Sequence, residues 1–134
     1  MDHVPEPMLT TKVSSDLGRE FLTQFLFYPN GIFVMISEGE PRIGALSVSI
    51  SSSNRANTAK VIPSKLNAVF VNTVTEKIAL MTNGISIVSL HSKAQLELED
   101  MKAIMGEIMR VLGGRASVEG ATELGQSKHK DIEG

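Results

Sequence analysis

The spacing of apolar residues changes along this chain, and that change limits the folds that it can adopt. In residues 19–28 the side chains of Phe21, Phe25 and Phe27 share one parity, and residues 42–51 alternate in the same way, which is typical of strands with one buried face. Near the C-terminus the spacing becomes helical, and one arc of a helical projection holds Leu98, Met101, Ile104, Met105, Ile108, Met109 and Leu112. The sequence therefore predicts an α+β fold, with an antiparallel β-sheet packed against two α-helices and a flexible C-terminal tail.

Five segments are predicted as strands, and a sixth as a short extended piece. The strands are residues 8–13, 19–28, 32–37, 42–51 and 85–90, and the extended piece is residues 59–62. A helix remains the alternative for the second of these strands, because Leu17, Phe21 and Phe25 also recur at four-residue spacing. The third and fourth strands flank a short loop rich in Gly and Pro, so we expect them to pair as a β-hairpin.

Two helices are predicted in the second half of the chain. The first spans residues 64–82, with Ser64 as its N-cap and Gly84 just past its end, although residues 69–71 taken alone also suit a strand. The second spans residues 96–112 and ends at two consecutive glycines. Few large aliphatic residues follow, so we expect residues 1–112 to form a single domain and residues 113–134 a flexible polar tail.

The composition excludes several classes of protein. With 134 residues the chain has the length of one domain, and without cysteine it can form no disulfide, thiolate zinc site or thiol nucleophile. Its 13 basic and 15 acidic side chains give a formal charge of −2, which provides no general affinity for nucleic acid. No apolar run approaches the roughly 20 residues that span a membrane, and the acidic, proline-broken start lacks the features of a secretory signal. We therefore expect a soluble cytoplasmic protein that binds neither nucleic acid nor membranes.

The titratable residues show no pattern typical of catalysis or metal binding. Glu38 and Glu40 flank a glycine in a predicted turn, where solvated charge is the simplest interpretation. The acidic residues near the start of the second helix match the preference of a helix dipole for negative charge. The three histidines lie far apart in the sequence, without the short spacing of a metal site. We expect no catalytic residue, no metal and no cofactor.

Residues 51–60 form the most polar stretch of the predicted domain. They combine serines and asparagines with two cations, and we expect residues 51–58 to form an exposed loop without regular structure. A solvated loop is the simplest interpretation. Alternatively, its hydroxyls, amides and Arg55 would suit a small anion, or the loop would contact a partner protein together with Lys60.

The order of these elements resembles that of a known family. Two apolar stretches, residues 31–37 and 42–48, precede the polar loop and an apolar helix at 66–82; a strand that starts at Gly84, a Ser-Lys junction and the closing helix follow. This order is similar to that of the small proteasome assembly chaperones over residues 8–112, in particular to the third of these chaperones and its archaeal relatives. The resemblance implies an antiparallel sheet with two helices and no enzymatic activity. It also implies partners, namely proteasome α-subunits and a related chaperone, in a homo- or hetero-oligomer.

Two functions are consistent with these observations. The first is a non-catalytic chaperone for assembly of the 20S proteasome that binds α-subunits, a related partner chaperone, or both. For this function we expect partner contacts at exposed polar and aromatic positions, because aromatic and arginine side chains often anchor interfaces. These positions are Asn54, Arg55 and Lys60 in the polar loop, and Phe27 and Tyr28 at a strand end. The alternative is a small-ligand-binding regulatory α+β domain in which residues 51–60 hold an anionic metabolite.

Overall fold

Six strands and two helices make up the protein, in an order that confirms the predicted α+β fold. The computed structural model describes residues 8–131, with side chains described for residues 8–114. The elements are β1 (Met8–Ser14), β2 (Glu20–Tyr28), β3 (Gly31–Glu38), β4 (Ala45–Ser52), β5 (Arg55–Ile62), α1 (Ala68–Thr82), β6 (Ile85–His91) and α2 (Leu98–Asp131). The alternation in residues 19–28 therefore corresponds to a strand, and the helical alternative for this segment is wrong.

The strands form one mixed sheet in the order β1-β2-β3-β6-β4-β5. Every neighbouring pair is antiparallel except β3 and β6, which run parallel. The predicted antiparallel sheet is therefore confirmed for four of the five pairings, and β1 and β5 are its two edges.

The predicted hairpin between residues 32–37 and 42–51 is wrong, because β6 lies between β3 and β4. Each of these strands is already paired on its other side, β3 with β2 and β4 with β5. Four of the seven residues of β6 are buried, and a strand with so little exposed surface belongs in the middle of a sheet. The chain can pass from β3 to β4 across the end of β6 because of Gly44. A Cβ atom at this position would overlap the carbonyl oxygen of Leu90.

The segment predicted as an irregular loop at residues 51–58 is instead the turn of a β-hairpin. Ser53 and Asn54 connect β4 and β5, and both have positive φ angles, of 54° and 64°. Two such residues define the tight turn whose twist matches that of paired strands. The prediction missed this hairpin because neither residue is glycine, and it recognised only the exposure of the segment.

Helix α1 starts later than predicted. Ser64 accepts hydrogen bonds from the backbone N–H groups of Leu66 and Asn67, at 3.2 and 2.8 Å, and so closes the turn before the helix rather than capping it. Asn67 occupies the N-cap position but directs its side chain elsewhere. Its Oδ1 accepts from the Leu96 N–H at 3.0 Å, which joins the start of α1 to the segment before α2. At the other end Asn83, not Gly84, adopts the left-handed conformation, with φ of 51°.

Helix α2 continues beyond its predicted end. Its backbone is helical to Asp131, past Gly113 and Gly114. A glycine ends a helix when it takes a left-handed conformation, and neither of these two has a positive φ. The helical backbone of residues 115–131 corrects the predicted helix end; mobility of residues 113–134 stays a prediction, and residues 132–134 lie outside the described part of the chain.

The hydrophobic core lies between one face of the sheet and the two helices. We call this side the covered face; its buried apolar residues are Phe21, Phe25, Ile32, Val34, Ile36, Val88 and Leu90. The helices contribute Val71, Val74, Ile78, Ile104, Ile108, Val111 and Leu112. Ile104, Ile108 and Leu112 belong to the predicted apolar arc, whereas Leu98 of that arc is 63% exposed. Met101, Met105 and Met109 are partly buried against this cluster, where flexible thioether side chains fill gaps.

Candidate protein interaction surface

The face of the sheet opposite the core carries a large set of apolar side chains. Because side chains alternate along a strand, Leu22 and Leu26 point away from the side on which Phe25 is buried. Residues that pair across neighbouring strands lie on the same face of the sheet, so the pairing identifies the other side chains of this second face. We call it the open face. Its large apolar members on the four inner strands are Leu22, Leu26, Phe33, Met35, Leu46, Val48, Ile50, Ile85 and Ile87.

Neither helix packs on the open face within the described part of the chain. Buried residues of both helices belong to the core cluster on the covered face. A hydrogen bond of 2.7 Å from Ser47 Oγ to Asn72 Oδ1 also fixes α1 to that side, since Ser47 is a buried residue of β4. Within the residues that the structure describes, the apolar side chains of the open face are therefore covered by neither helix and are partly or fully exposed.

The open face is organised around one uninterrupted apolar row. Successive cross-strand partners run from one edge of the sheet to the other, and the row consists of Met8, Leu26, Phe33, Ile87, Val48 and Ala59. At a strand spacing of about 4.8 Å, six strands make this row roughly 24 Å long. We call it the central row. A continuous apolar strip of this length on a surface is typical of a protein interface.

Polar residues surround the central row toward both edges of the sheet. Lys12 on β1 and Arg55 and Asn57 on β5 share the parity of the open face and are exposed. Tyr28 and Ile50 lie at one end of the face and are 56% and 52% exposed. An apolar centre with a polar rim is the usual composition of protein–protein interfaces.

The residues predicted to contact a partner lie on the β4–β5 hairpin and on the two opposite faces of β2. Asn54 is at the tip of the β4–β5 hairpin, and Arg55 and Lys60 lie on β5; all three are exposed. Tyr28 is at the end of β2 on the open face. Phe27 belongs to the covered face, where its ring stacks on Phe25 with a centroid separation of 6.2 Å and an interplanar angle of 7°.

These five residues do not form one cluster. Tyr28 and Arg55 lie at the same end of the sheet, but three strands separate β2 from β5, so the two backbones are roughly 19 Å apart. Lys60 is five residues along β5 from Arg55, a distance of roughly 17 Å. Contact of each residue with a partner stays a prediction.

The sequence contained a signal for the open face that the partner prediction did not use. Residues 32–36 read Ile-Phe-Val-Met-Ile, so β3 is apolar at both parities. A strand with this pattern is typically buried on both sides, whereas the helices of this chain cover only one.

A charged cluster at the other end of the sheet joins the start of α2 to the strands. The guanidinium of Arg19 binds both carboxylate oxygens of Glu38, with Nε–Oε2 and Nη2–Oε1 distances of 3.0 and 2.8 Å. Its Nη1 donates to Asp100 Oδ2 at 2.8 Å. Nη2 also donates to the carbonyl oxygen of Ala94 at 3.0 Å, and Nη1 to that of Gln95 at 2.9 Å. One side chain thus connects the β1–β2 turn, the end of β3 and the segment that leads into α2.

The two acidic partners of Arg19 are also bound by backbone groups. Asp100 Oδ2 accepts from the Glu97 N–H at 2.8 Å, as in a helix capping box, and Glu38 Oε1 accepts from the Lys93 N–H at 2.8 Å. The interpretation of Glu38 as a solvated turn charge is therefore wrong. Asp100 is fully buried, so it does more than complement the helix dipole.

Both carboxyl groups have pKa values below their ordinary range. For Glu38 the hydrogen bonds from Arg19 lower the pKa more than burial raises it, and the Lys93 amide lowers it further. For Asp100 burial acts to raise the pKa, but the Ser15 hydroxyl, the Glu97 amide and the charge of Arg19 together outweigh it. The cluster is therefore ionised at neutral pH, and its geometry is that of a structural ion pair.

Within the described residues, no group of three or more His, Cys, Asp and Glu side chains is placed to hold a metal ion. In the same part of the chain, no helix combines the length and apolar character needed to span a membrane.

The chain is thus an α+β protein with a six-stranded sheet, two helices on one side of it and an apolar face on the other. No family model and no curated protein matches the chain. Among solved structures, it is similar to a chain in the crystal structure of a chaperone complex for yeast 20S proteasome assembly. The TM-score is 0.51 at 8% sequence identity, and the match covers 87% of this chain and 98% of the yeast chain. The similarity shows a shared fold over nearly the whole of the yeast chain.

Proposed function

We propose that this protein is a non-catalytic chaperone for assembly of the 20S proteasome, and that it acts in the cytoplasm by binding proteins. Its partners are proteasome α-subunits, a related assembly chaperone, or both. The observation that carries the proposal is the central row, an apolar strip that crosses all six strands and, within the described residues, is covered by neither helix. The shared fold with a chain of a yeast chaperone complex supports this choice among binding proteins.

The open face is the part of the surface that best suits a partner of the same fold. Two flat sheets can pack face to face about 10 Å apart, with their apolar side chains interdigitating. A related chaperone, or a second copy of this chain, would present such a face. Burying Leu26, Phe33 and Ile87 in this way would remove from water the part of these large side chains that a lone chain leaves exposed.

The alternative of a small-ligand-binding domain receives less support. It relied on a loop at residues 51–60 that would enclose an anion. This segment is a two-stranded hairpin, and seven of the eight residues of β5 are exposed. Flat strands at a sheet edge surround a small molecule poorly compared with the concave sites in which such ligands usually bind.

The test is native mass spectrometry of the tagged full-length chain, purified from its own cells at low salt. We expect a complex of fixed stoichiometry that contains an α-type proteasome subunit or a second small chaperone. A monomer, recovered alone at concentrations well above those in the cell, would contradict the proposal. A monomer carrying an unexplained small mass would instead favour the ligand-binding alternative.

A further inference from the structure

Strand β5 is an edge strand, and most of its residues are exposed. It pairs only with β4, so one side of its backbone has no partner within the sheet. In a hairpin with a two-residue turn, the pair next to the turn is hydrogen-bonded and the pairs then alternate. Ser52 and Arg55 form that first pair. The N–H and C=O groups of Ala56, Thr58 and Lys60 consequently point away from β4, toward solvent.

The chain around β5 is also strongly basic for a protein of formal charge −2. Between Glu40 and Glu76 the sequence has no acidic residue. The same stretch contains four cationic residues, Arg42, Arg55, Lys60 and Lys65. The ion pairs among the described side chains involve Arg19 and Arg110, and none of these four. Arg55 and Lys60 lie on β5 itself, and Lys65 follows it closely.

Exposed apolar residues lie beside these charges. Val61 and Ile62 at the end of β5 are exposed, and so is Leu66 just before α1. The edge therefore offers three features together: backbone hydrogen-bonding groups and positive charges that have no partner among the described residues, and exposed apolar side chains.

We propose that the β5 edge binds an extended, acidic segment of a partner protein, which adds to the sheet as a seventh strand. Backbone hydrogen bonds to residues 56, 58 and 60 would supply affinity, and acidic side chains near Arg55 and Lys60 would supply specificity. This proposal does not depend on the proposed function, because the edge binds through the backbone groups of residues 56, 58 and 60 and the open face through the side chains of the central row; Arg55 and Ala59 border both surfaces.

The charges on β5 favour an acidic peptide over two other binding partners, a second copy of this chain and a nucleic acid strand. Pairing of two copies through β5 would bring Arg55 and Lys60 of each copy close to those of the other, and like charges at cross-strand positions are destabilising. A nucleic acid strand needs a larger basic surface and usually aromatic stacking platforms. Among the residues whose side chains are described, the only exposed aromatic ring near this end of the sheet is that of Tyr28, and three strands separate it from β5. An acidic peptide matches both the cations and the backbone groups.

The test uses the full-length protein and a synthetic peptide. The probe is a ten-residue peptide of threonine and valine with two glutamates five positions apart, the separation of Arg55 and Lys60 along β5. The control peptide has lysine at both positions. Binding is followed by NMR chemical shifts and by amide hydrogen exchange. We expect the acidic peptide to slow exchange at residues 56, 58 and 60, and the lysine peptide to have no effect.

Matched variants separate the contributions of charge and backbone. Reversal of both cations in Arg55→Glu/Lys60→Glu should weaken binding of the acidic peptide about tenfold, whereas Lys12→Glu on the opposite edge strand should not change it. Thr58→Pro removes an outward N–H without breaking a bond to β4, and it should reduce binding. Thr58→Val controls for the loss of the Thr58 hydroxyl, which donates to Ser49 Oγ at 3.0 Å.

Three outcomes would overturn the proposal: no binding of the acidic peptide, equal binding of both peptides, or shifts confined to β1, β2, β3 or β6. If Thr58→Pro fails to fold, the charge-reversed variant still decides. A partner complex that persists in this variant while peptide binding is lost would leave the proposed function intact.

Discussion

Phe33 on β3 and Ile87 on β6 are direct cross-strand partners in the parallel pair at the middle of the sheet, and both lie on the open face. Their neighbours Leu26 and Val48 continue the same row on either side. The strands that are paired on both sides thus also carry the most apolar part of the open face. A rigid surface of this kind loses little conformational freedom when it binds.

Lysine substitutions on the open face should weaken partner binding without unfolding the chain. Ile50→Lys is the most informative, because this side chain is 52% exposed and its replacement costs the core nothing. In the complex the variant would lose the isoleucine side chain that the partner buries and would place a charge in the interface. Together these changes should cost about 2 kcal/mol or more of binding free energy. Binding of the partner recovered by native mass spectrometry is measured by titration calorimetry.

The matched control for Ile50→Lys is Val69→Lys on α1, where the side chain is 79% exposed and lies away from the open face. This variant should bind as the wild type does. Equal losses in the two variants would argue against the open face as the interface.

Removal of the Asp100 carboxylate should destabilise the fold strongly. The Asp100→Ala variant loses the ion pair with Arg19 and the hydrogen bond from the Glu97 amide, and it leaves polar groups unpaired near the start of α2. We expect a loss of about 2–4 kcal/mol in the free energy of unfolding, measured by urea denaturation. Glu99→Ala is the control in the same helical turn. Because no hydrogen bond or ion pair of Glu99 contributes to the cluster, it should cost only about 0.5 kcal/mol through the helix dipole.

The same cluster should make the protein less stable in acid. The pKa values of Glu38 and Asp100 are lower in the folded protein than their ordinary values of 4.5 and 3.8. In this range the unfolded chain binds more protons than the folded one, so stability falls as the pH falls. The contribution of these two carboxylates to the free energy of unfolding is complete above their ordinary pKa values. It is lost as the pH falls through their lower pKa values in the folded protein.

Urea midpoints measured from pH 7 to pH 3 check this expectation. The wild type should lose stability below about pH 4.5, and the Glu38→Gln/Asp100→Asn variant should show a flatter profile, although it is less stable at pH 7. Parallel profiles for the two proteins would show that other groups dominate the acid sensitivity.

Two glycine-to-alanine substitutions should have opposite effects. Gly44→Ala places a methyl group against the Leu90 carbonyl where β4 begins beside β6, so it should destabilise the protein by about 3 kcal/mol or more. Gly106→Ala lies within α2, where an added Cβ meets nothing within 4 Å. There alanine should stabilise by about 0.5–1 kcal/mol through its helix propensity. Thermal denaturation of both variants beside the wild type provides the comparison.

Local patterns predicted the elements better than their arrangement. The alternation in residues 19–28 correctly located β2. The helical arc correctly located the packed part of α2 from Met101 to Leu112, but it also included Leu98, which is exposed. The position of β6 could not be predicted in this way. A short Gly/Pro loop favours pairing of the strands beside it, and only the burial of a strand from much later in the chain outweighs that preference.

The candidate surface was also only partly visible in the sequence. The apolar character of β3 at both parities indicates a second buried face, but which residues join Phe33 in one row depends on the register of five strand pairs. The ion pair between Arg19 and Asp100 connects residues that are 81 positions apart. No local pattern predicts such a contact, because it depends on how α2 is placed against the β1–β2 turn.

The central position of β6 has a consequence for how the protein acquires its structure during synthesis. Strands β1, β2 and β3 form one antiparallel unit and β4 with β5 forms another, and the two units share no strand pairing until β6 enters between them. On the ribosome, both units emerge before residues 85–91, so each first exists as a small sheet with an unsatisfied edge. Completion of the sheet requires the chain to return after α1 and form two long-range pairings with a single strand. Such non-local closure is slow compared with hairpin formation, so docking of β6 should be the rate-limiting step of folding.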